Sequence, residues 1–248
     1  MNTSSQRRLI LAIDTTGNPG SIALVSENGG SAYTVIEQVQ LDSHEGFGQG
    51  LFGEIDAMLA RAGVAVRDLA AFAAASGPGT FTGVRIGLAA VKGFSDATGR
   101  PAIAISNLQA LASYGSASLR AVVLDARRGE IYGAVYNSDL ELVQDEVVSQ
   151  LDAWLKSLPT NVEFVIRTIV GEAEQRIADA LSQGLPAHQL THAPRAIAGA
   201  IGKIALDRLL HHSPLGLEQD PAEIDANYVR RSDAESLWSD PHAVKLTL

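Results

Sequence analysis

At 248 residues, 46% of them hydrophobic, the chain has enough apolar material for one large domain or two modest ones. It contains no cysteine, which excludes disulfides, thiolate zinc sites and a cysteine nucleophile. A formal charge of −9 weighs against an independent grip on nucleic acid, because neutralising phosphates takes clustered Lys and Arg.

The polar start carries Arg7 and Arg8, and the apolar run after it is soon interrupted by Asp14. That is too short for a signal peptide or a membrane span, so a soluble cytoplasmic protein is expected. Leu9–Ile13 reads as a buried strand, and Asp14 to Gly20 as a turn in which Asp14 caps the backbone. Ser21–Ser26 alternates as a second strand. Asn28-Gly29-Gly30 turns into a third, near Tyr33–Gln40.

Asp42–Arg61 is predicted as a helix capped by Ser43. Phe47, Leu51, Ile55, Met58 and Ala62 form its core stripe. Beside that stripe runs a small-residue row: Gly46, Gly50, Gly53, Ala57 and Ala60. A glycine inside a helix costs about 0.8–1 kcal/mol relative to alanine, so the row calls for a close-packed neighbour. That neighbour is either a partner or this chain's own next helix.

Leu69–Ala75 reads as a buried strand entering Gly77-Pro78-Gly79, which breaks it. Thr80 or Thr82 can cap the helix that follows, Gly83–Thr98, which has its own small row of Gly83, Gly87 and Ala90. Strand, glycine loop and helix start together form a place fit for an anion, or simply a tight turn. Neither the Walker spacing nor the dinucleotide fingerprint is present.

Ala102–Ile105 is another buried strand, followed by Ser106 to Leu111. Ala121–Asp125 and Glu130–Tyr136 pair across Ala126 to Gly129. On its own residues Asp125 reads as a turn residue salt-bridged to Arg127 or Arg128. Leu151–Leu158, Val162–Val170 and Glu172–Leu181 read as helix, strand, helix, and Pro194–Leu210 as a long amphipathic helix. His188 and His192 have a metal-pair spacing, but Pro186 and Pro194 bracket them and no third ligand is evident. The residues show no internal repeat, no low-complexity segment and no linker.

Gly77-Pro78-Gly79-Thr80-Phe81-Thr82-Gly83-Val84-Arg85-Ile86-Gly87 resembles the signature of the bacterial TsaB (YeaZ) family, paralogues of the TsaD/Kae1 proteins. Two further stretches agree in order: Leu11 to Thr16 with Ser21 to Leu24, and Leu124 to Tyr132. The likeness is good over residues 9–136 and thinner afterwards. Tyr228-Val229-Arg230-Arg231 resembles the closing motif, but Asn227 stands where the family has Pro.

The resemblance implies an α/β actin-like fold (Hsp70-like, sugar-kinase-like, ribonuclease H-like) with two similar subdomains. Residues 1–104, completed by 212–232, would form the first, 105–211 the second, and 233–248 a mobile tail. It implies that Asp14, Thr15, Gly79, Thr80 and Asp125 sit on the phosphate side of a nucleotide cleft. It implies that the two small-faced helices, with Gly46, Gly50, Gly53, Ala57, Ala60, Gly83, Gly87 and Ala90, form a dimer interface. The TsaD paralogues bind a catalytic metal through two histidines in the segment matching Ser106 to Leu111. No histidine occurs here between His44 and His188, so no metal is expected there.

The implied function is a non-catalytic subunit that pairs with a TsaD-like enzyme, which transfers threonylcarbamoyl to adenosine 37 of tRNA. A TsaE-like ATPase is a further implied partner, and the isolated chain is expected to self-pair. Strong direct tRNA binding and membrane association are not expected. Tightly bound cofactors are not expected either, with ATP or ADP only at a joint surface. The alternatives are an autonomous ATPase or kinase of the same fold and, with less support, a metalloprotease.

Overall fold

The computed structural model describes residues 8–28, 32–42, 47–167, 172–183, 189–211 and 224–229. Gly46, Ser43, His188, Arg230, Arg231 and the 233–248 tail fall outside these, as do the expectations placed on them. The chain opens with three antiparallel strands, β1 (Leu9–Asp14), β2 (Gly20–Glu27) and β3 (Tyr33–Leu41). Helix α1 (Phe47–Ala62) leads to β4 (Ala71–Gly77), which pairs parallel to β1 with Ile13 opposite Ala74. Helix α2 (Phe81–Thr98) then returns the chain to β5 (Ala102–Ser106), parallel to β4. Parallel neighbours need such a crossover, whereas the first three strands need only turns.

The short helix α3 (Asn107–Ala112) begins the second half. Strands β6 (Leu119–Arg127), β7 (Glu130–Asn137) and β8 (Leu142–Gln150) form a second antiparallel set. Helix α4 (Leu151–Leu155), β9 (Glu163–Arg167), α5 (Glu172–Ser182), β10 (Leu190–Ala193) and α6 (Ala198–His211) follow. The sheet orders are β3-β2-β1-β4-β5 and β8-β7-β6-β9-β10. The two halves therefore repeat one topology, the α/β actin-like plan with two similar subdomains. No residue-level repeat announces it, because the plan needs only apolar strands and turns in the same order.

Two expectations differ from the structure. Helix α6, read as part of the second subdomain, packs on the first sheet: Ile197, Ile201 and Ile204 cluster with Ile10, Ala12, Ala23 and Val25. Its position is fixed by close approach, since a Cβ on Gly202 would lie 2.5 Å from Val25 Cγ2. The small row of α2 is also turned inward: Gly83, Gly87 and Ala90 are buried in this chain, contrary to their assignment to a partner interface.

One polar cluster ties the halves together. Glu146 of β8 accepts from Ser106 Oγ of β5, from Tyr136 Oη at 2.5 Å and from Asn227 Nδ2 at 2.5 Å. Burial, and then the Glu146 charge, push the Tyr136 phenol well above its ordinary range, so it stays a neutral donor. The Asn227 N–H also donates to Ser76 O at 2.8 Å. A proline has no N–H to give, so the departure at this position supplies a tether of its own.

The glycines of the two helices should behave oppositely. A Cβ on Gly83 would lie 1.9 Å from Thr15 O, and one on Gly50 meets nothing within 4 Å. Gly83→Ala is expected to destabilise by about 3 kcal/mol through overpacking. Gly50→Ala should stabilise the isolated chain by about 0.8–1 kcal/mol. Urea unfolding monitored by circular dichroism measures both.

Candidate functional site

A cleft of about 750 Å³ opens where the carboxyl ends of β1 and β4 and the start of α2 face the β6–β7 hairpin. In open α/β sheets, ligand sites lie at these strand ends. Gly79, Thr80 and Phe81 line one wall, Asp125, Tyr132 and Arg167 the other.

The floor is the Asp14–Thr16 turn, whose hydrogen bonds lie within the fold apart from Asp14 Oδ2, which has none. Asp14 Oδ1 accepts from Thr16 N at 2.9 Å and from Thr16 Oγ1 at 2.6 Å. Thr15 donates its hydroxyl to Gly83 O at 2.6 Å. Thr16 O accepts from Thr80 N at 2.7 Å. Asn107 completes the arrangement: its Nδ2 donates to Thr16 Oγ1 at 2.6 Å, and its Oδ1 accepts from Gly77 N at 3.0 Å. Asp14, Thr15, Thr16 and Asn107 are all buried, where polar atoms need such partners.

Gly79 is required here, since a Cβ would meet Thr16 O at 2.6 Å. Thr80 occupies the cap position of α2, but its side chain makes no capping hydrogen bond. The far wall is set by the β6–β7 hairpin. Its turn places Arg127, Arg128 and Gly129 at φ of 63°, 57° and 78°. Left-handed backbone is costly for arginine, and Asp125 Oδ1 supports it by accepting from Arg127 N at 2.9 Å. Asp125 is thus a turn residue held by a backbone amide, and it lines the cleft as well.

Of the five residues placed on the phosphate side, Gly79, Thr80 and Asp125 line the cleft, while Asp14 and Thr15 lie beneath its surface. Sequence reasoning missed Asn107, Arg167 and Arg195. Arg167 ends β9 and brings Nη2 to 3.8 Å from Asp14 Oδ2. Arg195, just after β10, donates to Asn18 O across the cleft. A single arginine closing an apolar strand was the only available signal for Arg167.

The small row of α1 faces away from the cleft. Gly50, Gly53 and Ala60 are exposed and Ala57 half-buried, while Phe47, Leu51, Ile55 and Met58 fill the core. The open small residues of α2 are Ala89, Gly93 and Ala97, a different row from the expected one. Phe52 of α1, 54% exposed, stands edge-on to Phe94 of α2 with ring centroids 5.8 Å apart.

A family model described as TsaD: tRNA N6-adenosine threonylcarbamoyltransferase matches residues 44–221. The chain is similar to the tRNA threonylcarbamoyladenosine biosynthesis protein TsaB of Bacillus subtilis (strain 168). The two are 29% identical over 242 residues, covering 92% of this chain and 97% of that protein. A protein of the same name from Escherichia coli (strain K12) is 34% identical over 134 residues, covering 52% of this chain and 55% of its own length. Among solved structures, YeaZ from Pseudomonas aeruginosa matches with a TM-score of 0.64 at 23% identity, over 88% of this chain and 99% of that one. At that identity the likeness speaks for the fold.

The Asn107 bridge yields a direct test. Asn107→Ala leaves the Gly77 amide buried without an acceptor, so it is expected to lower stability by about 1–3 kcal/mol. Replacing the exposed Lys156 with Ala should cost less than about 0.5 kcal/mol. Thermal and urea denaturation of the two variants check this; equal effects would contradict it.

Proposed function

This chain belongs to the tRNA N6-adenosine threonylcarbamoyltransferase (TsaD) family, on its TsaB (YeaZ) branch, and we propose that it serves there as a supporting subunit that pairs with a TsaD-like transferase. The observation that carries this reading is the end-to-end similarity to Bacillus subtilis TsaB, 92% of this chain against 97% of that protein. On this reading the chain works in the biosynthesis of threonylcarbamoyladenosine in tRNA and does not perform the transfer itself.

The alternatives gain no support from the site. An autonomous kinase or ATPase would use Asp14 and Thr15 against phosphate or metal; here Thr15 Oγ1 and Asp14 Oδ1 serve the fold's own hydrogen bonds, and Asp14 Oδ2 faces Arg167. A metalloprotease needs ligands that the chain lacks between His44 and His188.

The docking surface we assign to the partner is the outer side of α1 and α2. Gly50, Gly53, Ala57 and Ala60 on α1 and Ala89, Gly93 and Ala97 on α2 leave room for another subunit's helices to approach closely. Exposed Phe52 supplies an apolar anchor of the kind that dominates interfaces. Helix-interior glycines on an open face weaken the monomer, and partner contact offsets that cost. The isolated chain would pair with a second copy through the same surface. A TsaE-like ATPase would join the assembled pair, with ATP or ADP at the joint surface. The acidic balance of the chain leaves the grip on tRNA to the partner. No helix among the described residues is long and apolar enough to cross a membrane. The working compartment we propose is the cytoplasm.

Gly50→Leu and Gly93→Leu fill the approach space on each helix. Each variant is expected to keep its circular dichroism, to melt no lower than the parent chain, and to lose assembly with a TsaD-like chain in light scattering after gel filtration. Undiminished assembly in both would remove this surface. Loss of fold would instead show that these faces serve the chain's own core.

A further inference from the structure

A second cavity, of about 1210 Å³, lies between α6 and β3 on one side and α3 and the β7–β8 hairpin on the other. It shares no lining residue with the strand-end cleft. Tyr33, which lines it, pairs with Glu27, whose neighbour Ser26 pairs with Leu9 at the start of β1. The cavity therefore reaches the end of the first sheet opposite Asp14. Ala200, Lys203, Ile204 and Asp207 line it at spacings of three and four, so one face of α6 forms its floor.

The hydrogen bonds of the walls use up most carboxylate oxygens and leave donors to spare. Glu146 already receives Ser106, Tyr136 and Asn227. Asp207 accepts from Tyr33 Oη at 2.6 Å, and Glu141 from Asn137 Nδ2 at 2.9 Å. Arg208 is the opposite case. It is half-buried and donates Nη1 to Ala104 O at 3.1 Å and Nη2 to Gln109 Oε1 at 2.6 Å, both neutral acceptors. No carboxylate among the described residues pairs with it. Its Nε makes no hydrogen bond and is not sealed from solvent. Burial pulls this guanidinium below its ordinary range, yet an arginine stays charged. A partly buried cation with neutral partners only is unfavourable, and an oxyanion relieves it. The guanidinium is held in place, because Gln109 is itself tied to Leu140 O through Nε2 at 2.9 Å. Lys203 stands exposed on the same lining with no ion pair among the described residues. Burial alone pushes the Tyr114 phenol up, so its hydroxyl stays a donor.

We propose that this cavity binds a small organic monocarboxylate, with its charged end on Arg208 and Lys203 and its apolar body against Tyr114, Leu140 and Ile204. The single charge follows from the rim. Asp139 and Glu141 stand exposed there, and they repel a phosphate dianion more than a singly charged group. The apolar body follows from the walls, where tyrosine rings and aliphatic side chains alternate with a few fixed polar groups, as small-molecule sites require. The site belongs to the single chain and does not depend on the partner assignment.

The test is calorimetry and ligand-observed NMR on the full chain at matched ionic strength, with benzoate as the carboxylate probe. Benzamide keeps the ring and removes the charge, and phenyl phosphate carries a second charge. Benzoate is expected to bind with a dissociation constant of about 1 mM, reasonable for so few atoms. Benzamide should bind at least about ten-fold more weakly, and phenyl phosphate more weakly than benzoate. Arg208→Gln should weaken benzoate about ten-fold or more, with Arg208→Lys in between because it keeps the charge and loses the fork. Lys203→Ala should weaken it about three-fold at an unchanged melting temperature. Where Arg208→Gln fails to fold by circular dichroism, Arg208→Lys and Lys203→Ala carry the comparison. Three results would overturn the site: no benzoate binding at about ten times that concentration, benzamide binding as tightly, or binding indifferent to both Arg208 and Lys203. Tighter binding of phenyl phosphate would overturn the singly charged ligand and assign a phosphomonoester in its place.

Discussion

The structure depends on the contact between the Asp14–Thr16 turn and the first turn of α2. Thr15 donates to Gly83 O, Thr16 accepts from Thr80, and no side chain fits between them at Gly79 or Gly83. This contact sets the angle at which α2 leaves the first sheet. It also decides which face of α2 is buried, because Gly83 and Gly87 must lie against Thr15. The opposite face, with Ala89, Gly93 and Ala97, is left open as a consequence. Asn107 extends the same network to the start of the second half by joining Thr16 to Gly77.

The two halves repeat one strand order yet use it differently. In the first, the β1–β2 turn is buried at Asp14–Thr16 and bonded within the fold. In the second, the β6–β7 turn is propped in left-handed backbone at the cleft rim. The second half contributes Arg167 from the end of β9 and Arg195 after β10 to the cleft, beside Asp125 of β6. The cleft between the halves is thus a joint crossed by hydrogen bonds, with arginines on its lining.

Much of this was legible in the residues, and for physical reasons. Gly77-Pro78-Gly79 can only be a break, and the apolar runs at Leu9 and Ala71 can only be buried strands. The stripe of α1 separated cleanly into core and small-residue rows. On α2 two small rows have the same period, so periodicity could not tell the buried one from the open one. Only the position of Thr15 decides it. The docking of α6 was illegible because an amphipathic face does not say which of two similar sheets it covers. Asn107, Arg167 and Arg195 are single polar residues whose partners lie far away in sequence, a pairing that no local pattern encodes. Asn227 was noticed only as a departure from a family motif. Its use, an amide to Ser76 and a side chain to Glu146, appears once the strands are in place.

Native-state hydrogen exchange at the amides of Thr16 and Thr80 tests the central contact most directly. If the turn and the α2 start form one rigid joint, both amides exchange only through global unfolding, with the same protection as the buried β4 amides. Exchange through a lower-energy opening, while β4 stays protected, would contradict it. In that case the joint would be a locally opening loop, not the constraint that orders the rest.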